Sequence, residues 1–244
     1  MKECLPSLVL EDVTMEYDSS SFKLGPIDIN LPAGHLLGVI GQNGAGKSTL
    51  FQIISGNQRP SSGKVLVSGH QMLIDAFDVK RNLGYLPQHL ELPRWVTAYE
   101  LLGYAIRLHK LEPLQEIRND ALEYWDCASF AHKPLATCSH GMQKRVGLAL
   151  CMLHMPSIAI LDEPFSGLDL FHIRALTQLL EDRKKNGLIT ILSTHIAPYA
   201  AKLCDSVLLI EKGRPTKMQK WPQQGLLERI DAIENFFFRD NETI

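Results

Sequence analysis

Positions 41 to 49 read "GQNGAGKST", which packs three glycines, a lysine and two adjacent hydroxyls into the length of one turn. Gly41, Gly46, Lys47 and Ser48 meet the spacing G-x-x-x-x-G-K-[ST]. Glycine lets the backbone fold tightly and bring its N–H groups against phosphate oxygens. Gln42, Asn43, Gly44 and Ala45 fill the bend, and Thr49 continues into the following segment. The preceding "HLLGVI" reads as a buried strand and the following "LFQIISG" as a helix. The free amides and positive dipole end of that helix add to an anion site. Lys47 supplies a point charge suited to β- and γ-phosphates, and the Ser48 hydroxyl can ligate Mg²⁺. An ordinary glycine-rich strand-to-helix turn is the plain alternative, and the strand and helix context favours the phosphate cradle.

Such a cradle needs a carboxylate to hold the metal and a base to activate water. "SIAILDEP" provides both: Ile158 to Leu161 read as a buried strand that delivers Asp162 and Glu163 at its end. Asp162 can hold Mg²⁺ directly or through water. Glu163, expected on the opposite side by strand alternation, can orient and deprotonate the attacking water. Two acids at a strand end can also be merely solvated, a reading that four apolar residues running straight into Asp-Glu-Pro disfavour.

The elements that must place these groups alternate between strand and helix. "SLVLEDVTMEY" and "GPIDINLPAG" form an opening β region, "GKVLVSG" and "LGYLPQ" are short strands, and Gly56 can end the first helix in a left-handed conformation. Positions 97 to about 155 turn mostly helical. Thr97 and Glu100 match the capping-box spacing, with Leu101, Leu102, Ala105 and Ile106 on one face. From 158 the alternation resumes. A helix carrying Ile173, Leu176, Leu179 and Leu180 stops at Asn186-Gly187, and Pro198 opens another between "LITILST" and "SVLLIEKG". This order predicts an α/β fold with a mainly parallel sheet covered on both faces, an antiparallel β subdomain and an inserted helical subdomain over about 92–155. The main domain is expected over 5–215 and an accessory tail over 216–244. In that tail Leu226, Leu227, Ile230, Ile233 and Phe237 recur at helical spacing, while Glu228, Asp231 and Glu234 on the polar face favour packing on the core over a membrane surface.

Composition narrows the class. The 244 residues are 45% hydrophobic and 21% charged with a formal net charge of −2, which gives no electrostatic reason to bind nucleic acid. No apolar run reaches the length of a membrane span, and the first residues lack a signal-peptide core, so a cytosolic location is expected. Five widely spaced cysteines without a C-x-x-C pair read as reduced thiols, and the nine histidines contain no H-E-x-x-H.

With these motifs in order, the sequence resembles the nucleotide-binding subunit of an ABC transporter over about residues 8 to 214. The resemblance implies a P-loop ATPase that uses ATP and Mg²⁺. It sets Tyr17 where the family stacks an aromatic on adenine, and Gln88, after "LGYLP", in the loop that couples the Mg²⁺ site to the membrane partner. It sets "CSHGMQ" (138 to 143) at the signature, "SGLD" with Asp169 at the D-loop, and His195 of "STH" beside the γ-phosphate. An aromatic placed like Tyr17 is more often core or surface packing, and His195 taken alone fits a core histidine as well as a ligand, its place after "LITILST" favouring the ligand. Ser139 and the N–H of Gly141 open a helix with Val146, Ala149, Leu150 and Leu153 on its apolar face, as an anion site or a plain cap does. In the family these groups contact the γ-phosphate held by another subunit, so two like or unlike copies are expected to enclose the nucleotide. His140 and Met142 depart from the usual glycine and glutamine, which puts the rate of hydrolysis and the identity of the partner subunit in question.

The same resemblance implies separate permease subunits, docked on the segment between Gln88 and Ser139 that includes Trp95. It places the chain at the cytoplasmic membrane face, and the stretch from "LDEPFSGLD" to "EKGR" looks most like the exporter, drug-resistance branch. The competing function is a soluble ATPase of this type acting on ribosomes or DNA, which usually shows paired cassettes or a coiled-coil insertion.

Overall fold

A computed structural model describes residues 5–17, 22–72, 76–220 and 225–238. The chain runs through β1 (Leu8–Glu16), β2 (Lys23–Leu31), β3 (Leu36–Ile40), α1 (Lys47–Ile54), β4 (Ser62–Val67), β5 (His70–Gln71), α2 (Phe77–Lys80) and β6 (Leu83–Leu86). Three helices follow: α3 (Ala98–His109), α4 (Leu114–Tyr124) and α5 (His140–Met152). Then come β7 (Ile158–Leu161), α6 (Leu170–Lys185), β8 (Ile189–Ser193), α7 (Ala197–Leu203), β9 (Ser206–Glu211), β10 (Arg214–Lys220) and α8 (Leu226–Phe238).

Two sheets result. One has the order β2-β1-β4-β5 and is antiparallel, and the other has the order β10-β9-β3-β8-β7-β6. In the second sheet β9, β3, β8, β7 and β6 are parallel. Every residue of β3, β7 and β8 is buried, as expected of strands covered on both faces, whereas β2 alternates buried and exposed positions from Gly25 onward. Helix α1 lies between the sheets: Leu50, Phe51 and Ile54 share one apolar cluster with Leu24 and Val65 on one side and Val39 and Ile160 on the other. The opposite face of the parallel sheet, with Ile40, Leu86, Leu161 and Leu192, packs on α5, α6, α7 and the helical block.

The expected capping box is formed. Thr97 N donates to Glu100 Oε2 at 2.9 Å, and Glu100 N donates to Thr97 Oγ1 at 3.2 Å. Leu102 and Ile106 below it are buried, and Trp95 just ahead is 82% exposed. Gly56, at φ 70, and Gly187, at φ 74, take the left-handed conformation expected of helix-ending glycines. Four cysteines, Cys127, Cys138, Cys151 and Cys204, are buried and unpaired. Burial pushes the thiols of Cys127 and Cys151 up to about 12, so neither is a reactive thiolate.

The tail differs from its sequence reading in two respects. Residues 214–220, across which the main domain is expected to end and the tail to begin, form β10, an antiparallel edge strand hydrogen-bonded to β9. Lys212 (φ 47) and Gly213 (φ 83) make a two-residue turn with positive φ at both positions, whose twist suits a tight hairpin. In α8 only part of the expected stripe meets the core. Ile233 is buried with Ile230 and Phe236 beside it, but Leu226 and Leu227 are 50% and 75% exposed, and the Phe237 side chain lies outside the described residues. Helix α8 packs against α7, and its first two leucines stay exposed. Among the described residues no helix is long and apolar enough to cross a membrane.

The β9–β10 turn supports the glycine-rich loop. Gly213 N donates to Ala45 O at 3.0 Å, and Gly25 N donates to Gly213 O at 2.7 Å. A Cβ on Gly213 would overlap Lys23 O. Gly41 lies against the Ile210 carbonyl so closely that a Cβ there would overlap it as well. Gly69 has the same sign of φ but open space around it. Gly69→Ala should therefore cost only the left-handed strain, about 1–2 kcal/mol. Gly213→Ala should cost more than that, measured as the difference in urea unfolding free energy between the two variants.

Candidate functional site

The loop between β3 and α1 turns through Gly44 (φ 77) and Gly46 (φ 111), and Lys47 begins the helix. Its ammonium folds back on the loop, donating to Gly41 O at 2.8 Å and Gln42 O at 3.0 Å. Burial lowers the Lys47 pKa, against the pull of the nearby Glu163 and Asp162 carboxylates. A cleft above the loop is lined by Asn43, Gly44, Gly46, Lys47, Ser48 and Thr49, with Gln88 and His89 after β6 and Phe22 before β2. Positive charge, loop amides and a helix N-terminus converge there, the chemistry of a polyphosphate cradle.

Asp162 joins the two halves of the site. It is 1% exposed, at the end of β7, and both carboxylate oxygens accept from hydroxyls: Oδ2 from Ser48 Oγ at 2.6 Å and Oδ1 from Ser193 Oγ at 2.5 Å. Ser193, the last residue of β8, also accepts from Glu163 N at 2.8 Å. Behind the carboxylate the fully buried Lys144 of α5 reaches Asp162 O at 3.5 Å, and burial lowers its pKa. Glu163 departs from the expected strand alternation. It lies past the end of β7 in a left-handed conformation, φ 47, so a turn rather than the pleat separates it from Asp162. Its Oε2 accepts from His195 Nδ1 at 3.0 Å. A bulky residue held at positive φ is a local strain of the kind found at reactive sites.

The expected residues thus fall into two groups. Residues 41–49, Gln88, Asp162, Glu163 and His195 form one connected constellation. Tyr17 stands at its edge, its hydroxyl 3.5 Å from Thr49 Oγ1 and donating to Gln58 Oε1 at 3.2 Å. The aromatic ring that lines the cleft is that of Phe22, 6.4 Å from Tyr17.

Ser139, Gly141 and Asp169 are not among the residues that line this cleft. Ser139 is exposed and caps α5, accepting from Met142 N at 3.3 Å. The first turn of α5 leans on the 166–169 segment: a Cβ on Gly141 would stand 2.7 Å from Gly167 O, and one on Gly167 would stand 3.0 Å from His140 Cδ2. The unusual His140 ring therefore lies over Gly167. Asp169 caps α6, accepting from His172 N at 3.0 Å.

Sequence reasoning did not single out Ser193, Lys144, Phe22 or Gly213. Ser193 carried a usable signal, being the last residue of an apolar strand run two positions before His195. Lys144 and Phe22 carried none, since a lysine inside a helix and an aromatic after a turn are ordinary.

A glycine-rich loop at the head of a parallel-sheet helix, facing a strand-end Asp-Glu pair, defines a P-loop ATPase. Residues 24–166 match the family described as ABC transporter. The chain is 34% identical over 189 residues, 77% of its length, to the uncharacterized ABC transporter ATP-binding protein YxlF of Bacillus subtilis, and spans 62% of that relative. Its structure is similar, with TM-score 0.83 and 26% identity over 93% of this chain and 99% of the other, to an ATP-binding subunit of an ABC transporter. It is also similar in fold, with TM-score 0.81 and 22% identity over 89% of this chain and 100% of the other, to a dimeric post-hydrolysis state of the ATP-binding cassette MJ0796 bound to ADP and Pi. This chain belongs to the ABC transporter family and is an ABC-type ATPase subunit.

Ser193→Ala would leave Asp162 Oδ1 and Glu163 N without their shared partner. Stability should fall by about 1–3 kcal/mol in urea unfolding, the cost of unsatisfied buried polar groups. ATP turnover should fall through kcat more than through KM, because the loop that grips the phosphates is untouched.

Proposed function

We propose that this chain is the ATP-hydrolysing subunit of a transporter, that two copies or two related subunits close around two Mg-ATP, and that this closure drives a separate membrane permease, in the direction of export. The observation that carries the reading is the unbroken run of hydrogen bonds from Ser48 through Asp162 and Ser193 to Glu163 and His195. It links Ser48 of the loop, the Asp162 carboxylate and Glu163, which supports reading them as phosphate grip, metal holder and base.

In this assignment the loop amides of residues 41–46 and Lys47 bind the β- and γ-phosphates, and Tyr17 or Phe22 flanks the base. Ser48 and Asp162 already share one spot, and Mg²⁺ suits such a sparse donor set, since it takes one or two carboxylates and completes its shell with phosphate oxygens and water. Gln88, which lines the same cleft, would join them. The ion supplies charge neutralisation on the phosphates. Glu163 accepts a proton from the attacking water, which displaces ADP from the γ-phosphorus and leaves phosphate. His195, donating to Glu163 Oε2, fixes that carboxylate's orientation.

The second group of residues supports the two-copy reading. Ser139 is exposed and caps the N-terminus of α5, and a helix N-terminus favours an anion. A partner's γ-phosphate is the matching anion. Closure by two bound ATP and reopening after hydrolysis would then convert chemistry into motion. The exposed Trp95 and the helical block behind it form the surface offered to the permease. Attachment through that permease would hold the subunit at the cytoplasmic membrane face. The direction of export is supported by the likeness of the stretch from "LDEPFSGLD" to "EKGR" to drug-resistance subunits.

Glu163→Gln should bind ATP and sediment as a dimer in its presence, with turnover reduced by on the order of a hundredfold or more. A species that stays monomeric with ATP in analytical ultracentrifugation would refute the two-copy reading. Lys47→Ala should weaken ATP binding at least about tenfold, read by titration with a fluorescent ATP analogue, because it removes the cation on the β- and γ-phosphates.

A further inference from the structure

The helical block is joined to the 166–169 segment by a polar contact that the hydrolytic groups do not use. His172 lies in the first turn of α6, its side chain only 5% exposed. Its Nδ1 is 2.7 Å from Asp169 Oδ1 and its Nε2 is 3.1 Å from Arg145 Nη1. Arg145, in the second turn of α5, donates in turn to the carboxylate and the carbonyl of Asp126, each at 2.7 Å. Asp126 follows the end of α4 in a left-handed conformation, φ 49, which turns both of its acceptors toward one guanidinium.

The partners fix the state of the ring. A carboxylate only accepts and a guanidinium only donates. A ring placed between them donates from Nδ1 and accepts at Nε2, with Asp126 Oδ2 3.9 Å from that second nitrogen. An aliphatic side chain can make neither bond, and an amide of fixed length reaches only one of the two positions.

The bridge spans the pieces that would have to move together. Asp169 ends the segment whose Gly167 carries the first turn of α5, so the α5 helix and this segment are fastened at both levels, by packing at Gly141 and by the bridge one turn later. A further bond, from Tyr124 Oη to Ala175 O at 3.2 Å, ties the end of α4 to α6. We propose that His172 is a positioning residue that locks the 166–169 segment to the helical block, so that the segment that follows Glu163 moves together with the start of α5, which the two-copy reading sets against the second subunit. This rests on the two-copy reading above.

The test uses the full chain. With ¹⁵N-histidine labelling, His172, assigned by the peak lost in His172→Gln, should show the Nδ1–H neutral tautomer. A ring protonated at Nε2 or at both nitrogens overturns the bridge. His172→Ala should lower kcat for ATP about ten- to a hundredfold with KM changed by less than about twofold, the pattern of a misplaced segment rather than a weakened binding site. His172→Asn, which keeps a donor near Nδ1, and His172→Gln, which keeps an acceptor near Nε2, should each recover only part of that loss. Wild-type kcat in His172→Ala, or full recovery by either amide, refutes the proposal. If His172→Ala does not fold, the tautomer and the two amide variants decide. The two-copy reading fails separately, on Glu163→Gln protein with His172 intact.

Discussion

A buried carboxylate with two hydroxyl donors holds this site together. Asp162 is shut off from solvent, and an isolated charge there would be expensive to maintain. Ser48 and Ser193 each donate to one of its oxygens, and the Lys144 ammonium lies behind it. Because Ser48 belongs to the loop helix and Ser193 to β8, satisfying this one group also fixes the distance between the phosphate cradle and the strand ends. The spacing of the loop helix and the strand ends is thus set by satisfying one buried carboxylate.

The fold serves that arrangement from two sides. The parallel strands, apolar on both faces, deliver Asp162, Ser193 and the glycine-rich loop to one edge of the sheet. The helix following the loop is clamped between two sheets, so its first residue, Lys47, has little freedom to wander. Glu163 is the exception to regular geometry. Its left-handed backbone turns it out of the strand and toward His195, and the Ser193 hydroxyl bonded to its amide helps hold the strained residue in place.

Much of this was legible in the sequence because its signals were local. The glycine spacing, the Thr97–Glu100 box, the Asn186-Gly187 stop and the apolar run into Asp162 each depend on a few neighbouring residues, and each element formed as read. What was illegible depended on distant partners. The strand at 214–220 has few apolar residues, and it forms because β9 offers an open edge. Leu226 and Leu227 match the helical period of their neighbours, yet nothing in the periodicity tells that they stay exposed while Ile233 is buried. Ser193 and Lys144 matter through a residue more than a dozen positions away, so no reading of their own neighbourhoods exposes them.

The turn at Lys212-Gly213 has a mechanical corollary. One residue, Gly213, holds the loop through Ala45 and the antiparallel sheet through Gly25, so its amide and carbonyl link the two. A displacement of the loop therefore has a short route into the opening strands. Ligand arrival would then be sensed as slowed amide exchange at Gly25, a reporter well outside the reacting centre.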